Sequence, residues 1–357
     1  MKVLKIPIDE FFTNTLMQWH NRFNNRQMPW KGEKDPYKIW LSEIILQQTR
    51  VEQGLAYFEK FISTFPSIHD LAAAPDEKVY KLWEGLGYYS RCANLLITAR
   101  EIIKTRNGAF PKTFDGVIAL KGVGNYTASA IMSFAYNKPY AVVDGNVFRV
   151  LSRFFGIKKP IDSTEGKKYF AELSARLIHK KKPALYNQAI MDFGAVICKP
   201  ALPLCDQCIL NTHCIAYQSH IVSLLPVKEK KIKQQKRFFN YVVFTCGKKV
   251  LVRQRLSKDI WKNLYEFMLI ESKASYTLKD FLSNDLVKPV VKNFIEINLS
   301  PIYKQKLTHQ LISVAFLNIV IDEEIQFDEF VWVNKKQVQK LSFPRVIRTF
   351  FMDNKYL

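Results

Sequence analysis

The sequence predicts an all-α amino-terminal domain followed by a smaller α+β domain, and three observations carry that prediction. Apolar residues recur at helical spacing through the first half, and a short segment crowded with cysteines closes that region. Beyond a basic stretch the pattern turns to runs rich in β-branched and aromatic residues. A chain of 357 residues is long enough for two domains that each bury a core. With 48% hydrophobic and 13% aromatic residues it is no disordered tail protein.

The helical region runs from Pro36 to Tyr136. There Ile39, Trp40, Ile44, Leu46, Val51, Leu55, Phe58 and Ile62 form one core-facing stripe. Leu71–Leu82, Ser90–Thr105 and Phe114–Leu120 repeat the habit, punctuated by Pro75, Gly85, Gly87, Gly108 and Pro111. A further helical stretch, Gly166 to Ile197, leads into the cysteines. Lys228–Arg237 holds Lys228, Lys230, Lys231, Lys233, Lys236 and Arg237 against Glu229 alone, and reads as a solvated linker whose charge could follow a phosphate backbone. Tyr241–Cys246 and Val250–Arg255 then read as strands joined by the hairpin Gly247-Lys248-Lys249. Val314–Ile321 and Phe330–Val333 read as further strands, Lys335–Leu341 and Pro344–Asn354 as helices. The expected organisation is a catalytic domain over 1–226, a basic linker over 227–238 and a second domain over 239–357.

Charge narrows the partner. Lys and Arg number 53 against 32 Asp and Glu, a net +21, and such a field attracts a polyanion. Met1–Glu10 has no apolar run fit for a signal sequence, and no uninterrupted apolar stretch approaches membrane-spanning length. A cytoplasmic monomer directed at DNA or RNA is expected.

Three groups of residues can carry chemistry. A short helix ending at Leu120, the turn Lys121-Gly122-Val123-Gly124 and a helix from Asn125 make a helix-hairpin-helix pattern. Its two glycines allow backbone conformations closed to other residues, and its backbone N–H groups can grip a phosphate. Twenty residues after Gly124 comes Asp144, in Val142-Val143-Asp144-Gly145-Asn146-Val147. Asp144 there can cap a helix and can also serve as a charged group. Glu43 sits among Ile39, Trp40, Ile44 and Leu46; exposed, it is an ordinary helix carboxylate, but buried it becomes a proton donor. The run Cys198-x6-Cys205-x2-Cys208-x5-Cys214 points to a metal, with zinc and iron–sulfur both open on spacing and His213 a spare ligand for zinc. Cys92 and Cys246 lack partners and read as plain buried thiols.

Leu120–Ala128 followed by Val143–Val147 resembles the endonuclease III superfamily of DNA glycosylases. Trp40-Leu41-Ser42-Glu43-Ile44-Ile45-Leu46-Gln47-Gln48-Thr49 and Gly85-Leu86-Gly87-Tyr88-Tyr89-Ser90-Arg91 are similar to its adenine-excising branch, the MutY type. The resemblance implies an all-α helix-hairpin-helix glycosylase domain with an iron–sulfur cluster loop and a carboxy-terminal α+β Nudix-like domain. It implies excision of adenine mispaired with 8-oxoguanine or guanine in duplex DNA, at the nucleoid. Glu43 becomes the general acid, Asp144 the stabiliser of the sugar cation and Asn146 the residue that positions it. Tyr126 stands where strand-cleaving relatives carry a lysine, and a phenol cannot form a Schiff base. Lys121 replaces a usual proline and strengthens phosphate binding. The four clustered cysteines would ligate one 4Fe–4S cluster. Gln48 and Thr49 sit near the lesion, Leu86 and Tyr88 wedge beside it, and Trp30 and Leu46 wall the adenine pocket. Val250–Arg255 with Trp261–Phe267 carries the Nudix likeness, without the glutamate-rich box of a pyrophosphatase. Leu307-Thr308-His309 matches the lesion-sensing Phe-Ser-His of relatives, and Thr308 keeps the hydroxyl.

Overall fold

A computed structural model describes residues 7–229, 233–289 and 294–354. Lys2 and Lys5 of the amino-terminal stretch and Lys230 and Lys231 of the basic stretch lie outside them. The chain divides into two compact units. The first joins Met1–Ala72 to Asn94–Lys231, the second Ala73–Ala93 to Ile232–Leu357. The second unit therefore takes a segment from the middle of the helical half, which no composition shift announces.

In the first unit, helices α1 (Ile8–Phe23), α2 (Pro36–Leu46), α3 (Val51–Thr64) and α4 (Ile68–Ala73) come first. After α5 (Asp76–Trp83) in the second unit follow α6 (Ser90–Arg106), α7 (Phe114–Ile118), α8 (Asn125–Phe134) and α9 (Gly145–Phe154). α10 (Thr164–Leu177), α11 (Pro183–Val196) and α12 (Ile215–Gln218) complete it. The stretch expected as one helix from Gly166 to Ile197 is thus two. Pro183 cannot donate an N–H inside a helix but suits its first turn, so α11 starts there. The stripe from Ile39 to Ile62 is also broken. Gln47 leaves the helix with ψ 119° and Gln48 follows in a left-handed conformation at φ 56°, so α3 starts afresh at Val51. One core joins α1, α9, α10 and α11: Phe12, Leu16, Val147, Leu151, Phe170, Tyr186 and Ile190 are all buried in it.

The second unit is a mixed sheet: β1 (Gln235–Cys246), β2 (Lys249–Gln254), β3 (Tyr265–Glu266), β4 (Met268–Ser272), β5 (Phe294–Leu299), β6 (Tyr303–Lys306), β7 (Gln310–Ile321) and β8 (Val331–Asn334). The central pair β1 and β7 runs parallel, in register from Gln235 opposite Gln310 to Cys246 opposite Ile321. A parallel central pair is covered on both faces, which is why Phe239–Thr245 is buried without alternation. α13 (Leu278–Ser283), α14 (Lys335–Lys340) and α15 (Arg345–Asp353) complete this unit. Phe316 of β7 stacks on Phe350 of α15 at 4.1 Å. The basic stretch is not wholly a solvated linker: β1 already begins at Gln235, and Arg237 pairs with Asp259 and Glu271, each at 2.7 Å. The charge of Arg237 is thereby met within the fold. Among the described residues no helix is long and apolar enough to cross a membrane.

Candidate active site

α2 is apolar nearly all round, and its one acid is carried inside with the rest: Glu43 is 8% exposed. Burial drives its carboxyl up to about 7; a hydrogen bond with Tyr126 works against that rise and the charge of Asp144 adds to it. The reading of Glu43 as an exposed helix carboxylate is therefore wrong for this chain.

Asp144 is the N-cap of α9. One carboxylate oxygen accepts the Val147 N–H at 2.8 Å and the other accepts the Asn146 amide at 2.7 Å. Burial raises its carboxyl, while those hydrogen bonds favour the ionised form. Both carboxyls are raised by burial, but only Asp144 is anchored by donors that favour its ionised form at a helix N-terminus. Asn146 is itself held: its oxygen accepts Arg149 at 2.8 Å, and Arg149 also donates to Gly194 O (2.6 Å) and Cys198 O (2.6 Å). α11 can come this close because Gly194 has no side chain. A Cβ there would lie 2.7 Å from that of Asn146.

Glu43, Tyr126, Asp144 and Asn146 open on one cleft of about 980 Å³, which Trp30, Leu46, Gln48 and Thr49 also line. Trp30 packs edge-on against Phe58 at 5.4 Å. Arg26, Lys31, Gln188 and Asp192 line the cleft too, and sequence reasoning missed all four. The Asp192 side chain is fully buried and meets Arg26 (2.9 Å), Lys31 (2.8 Å), Asn24 (2.7 Å) and Gln188 (3.1 Å). Burial pushes its carboxyl up, but the bonds from Lys31, Asn24 and Arg26 outweigh it and hold it below the usual range. A lone acid in the otherwise apolar run Ile190–Val196 was the available signal.

The hairpin lies apart from the residues lining that cleft. Gly122 takes φ 78°, and a Cβ there would meet Asn94 at 2.8 Å. Gly124, by contrast, has an ordinary φ of −102° and open space where a Cβ would stand. Only one of the two glycines needs its conformational freedom; the other leaves room beside the uncapped start of α8. Lys121 is exposed and Val123 buried.

In the second unit, Gly85 and Gly87 have φ of 96° and 73°, and Tyr88 follows at 47°. Leu86 is buried, whereas Tyr88 is exposed and hydrogen-bonds through its hydroxyl to Thr308. Leu307, Thr308 and His309 form the tip between β6 and β7, with Thr308 and His309 exposed. Glu266 is fully engaged by Arg253 (3.2 Å) and Arg255 (2.8 Å).

None of the four clustered cysteines is in a disulfide. Cys198, Cys208 and Cys214 pack against the core of the first unit. Burial pushes the Cys208 thiol up to about 12, and Cys198, Cys214 and Cys205 push the same way, so the four lie within one another's field. Arg153 donates to Cys198 Sγ at 3.5 Å and its carbonyl accepts from Cys214 Sγ at 3.4 Å. His213 packs its ring on Phe11 at 4.4 Å. Among the described residues no three His, Cys, Asp or Glu gather as a group that could hold a single metal ion.

A buried proton donor and a capped carboxylate on one cleft, with a glycine hairpin leading into the helix that carries Tyr126, define a helix-hairpin-helix base-excision glycosylase. The family model of the HhH-GPD superfamily of base excision DNA repair proteins matches residues 41–176, and a NUDIX domain model matches 240–352. The chain belongs to the adenine DNA glycosylases. It is 32% identical over 347 residues to the adenine DNA glycosylase of Buchnera aphidicola subsp. Baizongia pistaciae, covering 93% of each chain. It is 38% identical over 216 residues to that of Mus musculus, covering 58% of this chain and 42% of the mouse one. Among solved structures, a thermostable thymine-DNA glycosylase matches 59% of this chain and 97% of its own at 30% identity and a TM-score of 0.55. An endonuclease III–DNA complex shares the fold over 60% of this chain, at 20% identity and a TM-score of 0.52.

Proposed function

We propose that this adenine DNA glycosylase acts on adenine paired with 8-oxoguanine or guanine in duplex DNA and stops after base release, without cutting the strand. One observation carries the reading. The cleft holds a carboxyl with a proton to give near neutral pH, Glu43, beside a second carboxylate and the Tyr126 phenol, while Lys31, which also lines it, is tied to the buried Asp192 at 2.8 Å. An extruded adenine enters between Trp30 and Leu46. Glu43 gives its proton to the leaving base as the C1′–N bond breaks and its electron pair goes to adenine. Asp144, held by Val147 and Asn146, stabilises the oxocarbenium-like sugar until water adds to C1′ and gives up its proton to the Glu43 carboxylate. Tyr126 offers no amine to attack the sugar from the position where strand-cleaving relatives carry a lysine, and Lys31 is engaged by Asp192. The hairpin, with Lys121, grips the phosphate backbone, and Gln48 and Thr49 serve the lesion from the cleft of the first unit. Within the second unit Tyr88, Thr308 and His309 are exposed to read the partner base, whereas Leu86 is buried and is not available as a wedge.

We infer that Cys198, Cys205, Cys208 and Cys214 hold one 4Fe–4S cluster. The donor set is four thiols within one another's electrostatic field, in one short segment, and three of them pack against the core of the first unit. When bound, such a cluster supplies a four-point staple for the Cys198–Cys214 segment. A broad visible absorbance band from the purified protein tests it, and stoichiometric zinc in its place refutes it.

Single-turnover excision from duplexes pairing adenine with 8-oxoguanine, guanine and thymine tests the function, with borohydride added to abasic DNA. The expected result is fastest release opposite 8-oxoguanine and no trapped covalent adduct. Efficient trapping at a lysine would overturn the monofunctional reading.

A further inference from the structure

The second unit contains a charge knot that neither base excision nor metal binding uses. Glu84, just past the end of α5, is largely buried. Its Oε1 accepts the backbone N–H of Phe343 and Arg348 Nε, both at 2.8 Å, and its Oε2 accepts Lys81 Nζ at 2.8 Å. Arg348 and Lys81 both donate onward to one carbonyl, Leu341 O, at 2.8 and 3.0 Å. Two cations, one carboxylate and two backbone groups from segments some 260 residues apart in sequence are thereby closed into one network. The next residue after Glu84 is Gly85, the start of the left-handed turn that ends in Tyr88. The far end of that turn is pinned as well. Trp83 Nε1 and Arg91 both donate to Gly87 O, at 3.1 and 3.3 Å, and the Arg91 guanidinium lies 5.2 Å from the Trp83 ring and 5.4 Å from that of Tyr88. Tyr88 then reaches the Thr308 hydroxyl.

We propose that Glu84 and Arg348 are positioning residues for partner-base selectivity: they hold the Gly85–Tyr88 turn so that Tyr88 and Thr308 read the base opposite adenine as one rigid element. Gly85 and Gly87 take positive φ freely and so impose no shape of their own, and Tyr88 at 47° is a left-handed non-glycine that its surroundings must hold. A network of charge-assisted hydrogen bonds at its root fixes it where a flexible loop would let Tyr88 wander. Neither residue touches DNA in this proposal; both act through Tyr88. It rests on the reading of 8-oxoguanine as the preferred partner.

The test is single-turnover excision by the full-length enzyme with Arg348→Met, on adenine opposite 8-oxoguanine and opposite guanine. The ratio of the two rates should fall by about tenfold, the scale of losing one charge-assisted hydrogen bond, while excision opposite guanine is unchanged. Arg348→Lys, which keeps a cation for Glu84, should recover part of the ratio. In a Thr308→Val background, Arg348→Met should lower the ratio no further, because both changes act on one element. A merely structural role predicts the opposite: equal loss on both duplexes, tracking thermal stability, and additivity with Thr308→Val. A wild-type preference that survives intact in Arg348→Met overturns the proposal alone. Equal wild-type rates on the two duplexes would overturn the 8-oxoguanine reading and this proposal together.

Discussion

Asn146 donates its side-chain amide to Asp144 across 2.7 Å while accepting Arg149 on its own oxygen at 2.8 Å. The carboxylate is therefore aimed by a residue that is itself aimed. Asn146→Ala leaves Asp144 with the Val147 N–H and frees its side chain to turn. Single-turnover excision should slow by about 100-fold, the usual cost of a small misplacement at a reacting centre. DNA affinity, measured by fluorescence anisotropy, should stay close to wild type, since Asn146 is not needed for the backbone grip.

Gly194 is the second point of control over that pair. Its missing Cβ is what allows α11 to lie against Asn146, with 2.7 Å between the Asn146 Cβ and the position a Gly194 Cβ would occupy. Gly194→Ala should cost about 1–3 kcal/mol in urea unfolding, as overpacking does. It should also slow excision, because the displaced atom belongs to the residue that orients Asp144.

Glu43 makes stability depend on pH in a definite direction. Its folded carboxyl titrates near 7 against an ordinary value of 4.5. Between those values the folded chain keeps a proton that the unfolded chain has released, so stability falls as pH rises through that window and is level above it. Glu43→Gln removes the dependence. It should match wild type at pH 4 and exceed it at pH 8, by up to about 3 kcal/mol. Urea melts of both proteins across pH check this. Excision should show the complement: wild-type rates decline above about 7, and Glu43→Gln loses base release by at least about 100-fold while still binding DNA.

What was legible in the sequence follows from how far each feature is local. Asp144 as a helix cap needs only its neighbours to Val147, and the Cys198–Cys214 spacing is contained in one short segment. Both could be read directly. The burial of Glu43 could not be read from α2 alone, because an acid in an apolar helix is exposed or buried according to what covers it, and here the cover includes Tyr126, far along the chain. The Asp192 network was hidden for the same reason: it gathers Asn24, Arg26, Lys31 and Gln188 from stretches that look unrelated. The break at Gln47–Gln48 was missed because the apolar spacing continues across it, while the backbone turns of two residues set the boundary. Arg237 counted as a free cation until the fold supplied Asp259 and Glu271.

The two hairpin glycines should part company under mutation. Gly122→Ala forces a side chain into a left-handed position and to within 2.8 Å of Asn94, so it should destabilise the protein by about 1–3 kcal/mol. Gly124→Ala meets nothing in the free protein and should leave thermal stability close to wild type. Its added methyl stands where a phosphate would approach α8, and DNA affinity should fall. Thermal melts and DNA titrations of the two variants, side by side, separate the conformational role from the contact role.

The threading of the second unit bears on how this chain can be dissected. Because Ala73–Ala93 belongs with Ile232–Leu357, a cut in the basic stretch yields no fragment that contains the whole of either unit and nothing else. A carboxy-terminal piece would lack Tyr80, whose hydroxyl accepts the Asn263 amide at 2.6 Å, and would leave Arg348 without Glu84. The amino-terminal piece would carry those partners with nothing to bind. Expressed apart, the halves are incomplete; mixed, they have a reason to find each other, as split reporters do.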